Sequence, residues 1–141
     1  MYTLIKNGRI ITDGTDYISD ILIKDNKILR IDKNIENIYN AEVIDASKCL
    51  IFAGFIDTHT HFDLDNGVTK TSDDFKTGTL AALMGGTTCV LDFATQNKGE
   101  TLPFALSNWH KKADKISSCN YGFHMAITDF NNDVENQMEL M

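Results

Sequence analysis

The chain has 141 residues, 43% of them hydrophobic and 23% charged, and its 13 basic side chains against 20 acidic ones give a net charge of -7. That length holds one ordinary domain, or one small domain and part of another. The acidic balance without a dense Lys/Arg cluster excludes a nucleic-acid partner, and with no bilayer-length apolar run and no leader-like N-terminus the expectation is a cytoplasmic protein with no membrane partner.

From Tyr2 to about Ile51 the sequence reads as short β runs: Tyr2 to Ile5, Arg9 to Thr12, Ile18 to Lys24, Lys27 to Ile31, Val43 to Asp45 and Cys49 to Ile51. Lys6-Asn7-Gly8, Asp13-Gly14 and Asp25-Asn26 supply positive-φ residues at hairpin spacing. The pattern predicts a small antiparallel sheet over residues 1–52, structural and without chemistry of its own. Cys49, Cys89 and Cys119 are odd in number and widely spaced, so they read as reduced core residues and not as a disulfide framework or zinc knuckle.

After Ala53-Gly54 the pattern changes to strand, helix, strand, helix, strand over residues 53–141, the spacing of βαβ units. The first strand is Phe55 to His61. Asp73 is placed to cap a helix running through Asp74 to Met84, with Phe75, Leu80, Leu83 and Met84 as its apolar stripe and Gly85-Gly86 as its stop. A continuously apolar strand, Thr87 to Ala94, fits burial on both faces. A second helix follows from about Leu102 to Ala113, with Leu102, Ala105, Leu106 and Trp109 on one side. A third strand spans about Asn120 to Thr128, and a third helix begins at Glu135 and runs to Met141. The fold class is α/β, and parallel strands of this kind bind ligands at their carboxyl ends. Three strands make either a small open sheet or the front part of a larger fold, since a closed (β/α)8 barrel takes ~250 residues.

The first strand carries the chemistry, in Gly54-Phe55-Ile56-Asp57-Thr58-His59-Thr60-His61. Alternate side chains of an extended strand share a face, so Asp57, His59 and His61 would project together. Two imidazoles from one strand can grip one metal ion, and they can equally be two polar residues at a strand end. The strand-end position, the acid on the same face and the loss of apolar periodicity from Phe62 to Ser72 favour the metal. Asp57 would either orient one imidazole or cap the following loop. Asp92, near the end of the second strand, would either support a metal-bound histidine from behind or tie a loop. His124, between Phe123 and Met125, reads as a satisfied core histidine, and His110, beside Lys111 and Lys112, as solvent-facing.

In these residues the chain resembles the cyclic amidohydrolases, and within them the dihydropyrimidinases and D-hydantoinases. The segments that carry the resemblance are Leu4-Ile5-Lys6-Asn7-Gly8-Arg9-Ile10, Gly54 to His61, Asp74-Phe75 with Gly78-Thr79, Gly85-Gly86-Thr87-Thr88, Asp92-Phe93 and Tyr121 to Thr128. The resemblance implies the first three strands of a (β/α)8 TIM-like barrel, preceded by a small β-sandwich segment. It also implies a site of two zinc ions bridged by a carboxylated lysine and a hydroxide, with His59 and His61 matching the two ligands of the more buried ion. The bridging lysine, two further histidines, the aspartate base and the tyrosine that polarises the carbonyl all fall beyond residue 141 in such proteins. No catalytic residue is therefore assigned in this chain.

Two further positions follow from the same resemblance. Dihydroorotases have an arginine two places after the second histidine to hold a substrate carboxylate; Asp63 stands there and cannot do that. Leu64 matches an apolar lining position of the substrate pocket, in a loop whose Asp65-Asn66-Gly67 is polar. The function so implied is that of the N-terminal portion of a metal-dependent hydrolase of dihydropyrimidines or 5-substituted hydantoins, inactive as this portion alone and homotetrameric when full length. The alternative is a non-catalytic dihydropyrimidinase-like scaffold, against which the retention of His59 and His61 speaks.

Overall fold

The chain divides into two compact units, Met1–Ala53 and Gly54–Met141, and a computed structural model describes residues 1–139 of it. In the first unit, strands β1 (Tyr2–Thr12), β2 (Thr15–Lys24), β3 (Lys27–Asp32) and β4 (Ala41–Asp45) lie in the order β3-β2-β1-β4, and the short β5 (Leu50–Ile51) also pairs with β1. The hairpins at Asp13-Gly14 and Asp25-Asn26 are present, with Gly14 and Asp25 at φ 75° and 56°. The sheet is mixed and not antiparallel throughout, because β4 and β5 both run parallel to β1. Leu4, Leu22 and Ile35 form its buried cluster.

Lys6-Asn7-Gly8 is not a hairpin turn. β1 runs straight through it, with a bulge where Ile5 pairs with Ile21 and Gly8 pairs with Ser19. Asn7, at φ 61°, turns its amide onto the carboxylate of the buried Asp20 at 2.8 Å. The same carboxylate accepts from the Ile35 amide at 2.9 Å and lies 3.3 Å from the Lys6 ammonium. One acid thus converts a turn-like tripeptide into a strand irregularity.

The second unit is a parallel sheet, β6-β7-β8, made of β6 (Phe55–Thr60), β7 (Thr87–Thr95) and β8 (Asn120–Ala126). Its helices are α1 (Phe75–Met84), α2 (Leu102–Ala113) and α3 (Asn132–Met138). Asp74, not Asp73, caps α1, in a reciprocal box with Thr77. The expected α1 stripe is only partly buried: Phe75 is 1% exposed, while Leu80 and Met84 are 49% and 81% exposed. Thr101 caps α2 with Pro103 in its first turn, and Leu102, Ala105, Trp109 and Ala113 are buried. The third helix starts earlier than expected, capped by Asn131, and the last two residues of its expected span lie outside the described residues.

Phe75, Ala94, Trp109 and Ala113 form the core of this unit, with Phe62, Leu64, Tyr121 and Phe123 packed on it. Phe62 reaches α1 because Gly78 has no side chain; a Cβ there would lie 2.2 Å from the Phe62 ring. β7 is not equally buried on its two faces: Val90, Asp92 and Ala94 are buried, and their neighbours are half-covered. Cys49 is exposed, contrary to its reading as a core residue, and Cys89 and Cys119 are partly buried free thiols. Among the described residues no helix is long and apolar enough to cross a membrane.

Candidate metal centre

β6 reaches its carboxyl end through an irregularity. Asp57 pairs with Val90 and Thr60 with Asp92, so three steps on β6 oppose two on β7 and the extra residue falls at Thr58-His59. Bulges re-aim side chains, and they concentrate next to functional sites. Here the result is convergence: the Nε2 atoms of His59 and His61 lie 3.1 Å apart, on exposed rings set edge-on at 84°. Two imidazole nitrogens that close need a proton on one of them or a cation between them. With Zn–N bonds of about 2.0–2.1 Å, this spacing subtends an angle of roughly 100° at an ion, close to tetrahedral. The donor set therefore fits a zinc ion as two of its ligands.

Phe93 forms the floor beneath the pair. Its ring centroid lies 4.6 Å from His59, 5.0 Å from His61 and 4.9 Å from His124. Phe93 and His124 are cross-strand partners, so they share a face of the β7-β8 pair. His124 is exposed and not a core histidine: Phe123 and Met125 pack on the helix-covered core, and His124 takes the other face. Its Nε2 lies 3.0 Å from the Thr58 carbonyl oxygen.

The acids lie around the histidines and bond to their neighbours, Asp57 to backbone and Asp92 to both backbone and side chains. The Asp57 carboxylate accepts from the His59 amide at 3.1 Å. Asp92 is 1% exposed, on the helix-covered face, where its carboxylate accepts from Thr60 Oγ1 at 2.9 Å, the Phe62 amide at 2.8 Å and Trp109 Nε1 at 3.3 Å. His61 stands between two residues so tied, Thr60 through its hydroxyl and Phe62 through its amide. Among the described residues no group of three His, Cys, Asp or Glu side chains is gathered as a complete metal site.

The loop after His61 is ordered by its own hydrogen bonds. Asp63 donates its amide to the Asp73 carbonyl, Leu64 and Thr71 bond across it, and the backbones of Asp65 and Lys70 pair as an isolated antiparallel β-bridge around a turn with Gly67 at φ 81°. Asp63 holds the ammonium of Lys70 and lies 3.5 Å from that of Lys112, which also sits 4.2 Å above the Trp109 ring. The hydrogen bond from Lys70 keeps the Asp63 carboxyl below its ordinary range against the upward push of burial, with Lys112 adding to the effect. Leu64, expected at a substrate pocket, is half-buried and packs against the core cluster. A cleft of about 450 Å³ lined by Asp63, Lys70, Asp74 and Lys112 lies beside this loop, without either histidine of the pair. His110 is exposed as expected and pairs with Asp114 at 3.0 Å.

Comparison with known proteins gives this arrangement a lineage. Residues 50–140 match the amidohydrolase family. The chain is 48% identical over 134 residues to the D-hydantoinase of Geobacillus stearothermophilus, covering 95% of this chain and 28% of that one. It is 42% identical to the dihydropyrimidinase of Dictyostelium discoideum, covering 98% and 27% respectively. The crystal structure of dihydropyrimidinase from Brevibacillus agri NCHU1002 superposes with a TM-score of 0.94 at 42% identity, over 99% of this chain and 30% of that one. The chain thus spans under a third of the length of these relatives, and by the family match over most of its second unit it belongs to the amidohydrolase family.

Proposed function

We propose that this chain is the N-terminal part of a cytoplasmic metal-dependent cyclic amidohydrolase that opens the ring amide of dihydropyrimidines or 5-substituted hydantoins. The observation that carries the reading is the convergence of His59 and His61 at the carboxyl end of β6, within a sequence so similar to D-hydantoinase and dihydropyrimidinase. In the proposal β6, β7 and β8 are the first three strands of a (β/α)8 barrel, and the complete protein is a homotetramer. His59 and His61 hold zinc through Nε2, and Phe93 backs both rings. When bound, zinc supplies a hydroxide at neutral pH and polarises the amide carbonyl. This chain's own residues contribute ligation and orientation, and the proton-transfer groups are supplied by sequence outside it.

The test is metal analysis of the full-length protein together with hydrolysis of dihydrouracil and of several 5-substituted hydantoins. About two zinc ions per chain and turnover of one substrate class support the hydrolase. A metal-free protein with no turnover would instead be a scaffold of the same descent.

A further inference from the structure

The peptide between Thr58 and His59 is held in an unusual way. Neither residue has a partner in the β6-β7 register, because the bulge falls on them. Both polar atoms of that one peptide are nevertheless met by side chains: its N–H donates to the Asp57 carboxylate at 3.1 Å, and its C=O faces His124 Nε2 at 3.0 Å. The partner from β8 reaches past the central strand β7 to do so, since β6 and β8 are not adjacent. A carbonyl only accepts, so His124 must carry its proton on Nε2. The orientation of this peptide sets where the His59 ring starts, and His59 converges with His61 to 3.1 Å.

We infer that His124 is a positioning residue for the metal centre: by donating from Nε2 to the Thr58 carbonyl it locks the bulged peptide that carries His59, and so sets the angle between the two imidazole ligands. Asp57 is the opposite jaw of the same clamp. The inference rests on the proposed zinc site for its consequence but not for its geometry. Groups that touch no metal yet orient its ligands typically change metal affinity 10–100-fold when replaced.

The experiment compares His124→Met, which fills similar volume without a donor, with His124→Gln, whose amide N–H stands near the reach of Nε2, in the full-length protein. Three quantities are measured: zinc affinity by chelator competition, the visible spectrum of the cobalt-substituted protein, and the His59–His61 separation in metal-free crystals. His124→Met is expected to weaken zinc roughly 10–100-fold, to alter the cobalt spectrum and to widen the 3.1 Å separation; His124→Gln is expected to restore most of each. Should the Met variant fail to fold, His124→Asn, whose amide stops short of Thr58, replaces it in the comparison with Gln. Equal behaviour of the donor and the non-donor variant overturns the inference. If the wild-type protein takes up no zinc, the hydrolase reading fails, and the crystallographic separation alone still decides the role of His124.

Discussion

Asp92 and Trp109 meet across the helix-covered face of the sheet, the indole N–H donating to the carboxylate at 3.3 Å behind the strand end that carries His61. The other carboxylate oxygen takes Thr60 Oγ1 and the Phe62 amide, so one buried acid ties α2, the last residue of β6 and the start of the loop. Asp92→Leu would take an acceptor from four donors, Thr60 Oγ1, Trp109 Nε1 and the Phe62 and Phe93 amides, at a site that is 1% exposed, and of these Thr60 keeps the Leu91 carbonyl at 3.3 Å. At about 1–3 kcal/mol for each buried group left unsatisfied, less what relaxation recovers, a loss of about 3 kcal/mol is expected. Asp92→Asn, keeping one carbonyl oxygen, is expected to cost less. Urea denaturation of both variants checks the order, and equal stability of Asp92→Leu and wild type would show that these bonds contribute nothing net.

Double replacement of His59 and His61 by Ala is expected to act in the opposite sense. Both rings are exposed, so the fold should lose no more than about 0.5 kcal/mol, the usual range for surface changes. Metal uptake by the full-length protein, and with it hydrolysis, is expected to vanish. Zinc content and denaturation measured on the same preparation separate the two effects, and retained turnover would remove the metal assignment.

Asp63 gives a pH dependence with a definite sign. Its carboxyl is held below the ordinary range by Lys70 first, against burial, with help from Lys112. A depressed folded-state value means that the stabilisation is present above the unfolded-state value near 4 and is lost as pH falls through the folded one. Asp63→Asn is therefore expected to cost up to about 1 kcal/mol at pH 7 and nearly nothing at the acid end. Denaturation midpoints of variant and wild type should converge on acidification. A gap independent of pH would mean that packing of the loop, and not the ion pair, is what Asp63 supplies.

Where the sequence was legible and where it was not follows from the range of the interactions. The α2 boundaries, Leu102 to Ala113, are written locally by a Thr cap, a first-turn proline and an apolar stripe. The βαβ order needs only period and punctuation, and the family resemblance needs only residues in order. Lys6-Asn7-Gly8 reads as a turn because the carboxylate that makes it a bulge, Asp20, lies 13 residues on. His124 reads as core because its neighbours are apolar; in a strand those neighbours occupy the other face, and which face is covered is decided by helices elsewhere. The alternation rule brought His59 and His61 together, but their 3.1 Å convergence depends on a register shift against β7 that no local pattern announces.

In the first unit Asp20 is expected to be a site of high sensitivity. Burial pushes its carboxyl up, yet the Ile35 and Asn7 amides and the Lys6 ammonium together bring it below the ordinary value. Asp20→Ala would orphan two amides and leave a half-covered lysine without its anion, which breaking a buried pair puts at about 3–5 kcal/mol. Lys6→Met, which leaves the acid its two amides, is expected to cost less. Amide exchange at Asn7 and Ile35 is the direct readout, and slow exchange in Asp20→Ala would mean that the bulge holds without its acid.

Residues 1–141 expressed alone are expected to associate and to be inactive. β6 and β8 are the outer strands of the described three-stranded sheet, and Ile56 on β6 and Leu80 and Met84 on α1 are 63%, 49% and 81% exposed. Strand edges and apolar faces of that kind invite pairing with other copies. Chemistry fails for a separate reason: His59 and His61 provide two ligands, whereas a catalytic zinc ordinarily takes three from protein. Weak zinc binding can survive without turnover. Sedimentation and a hydantoin-hydrolysis assay on the purified 141-residue chain decide both parts, and a compact monomer that turns over substrate would mean that the open sheet is self-sufficient and that the ligand set is complete with partners not recognised among these residues.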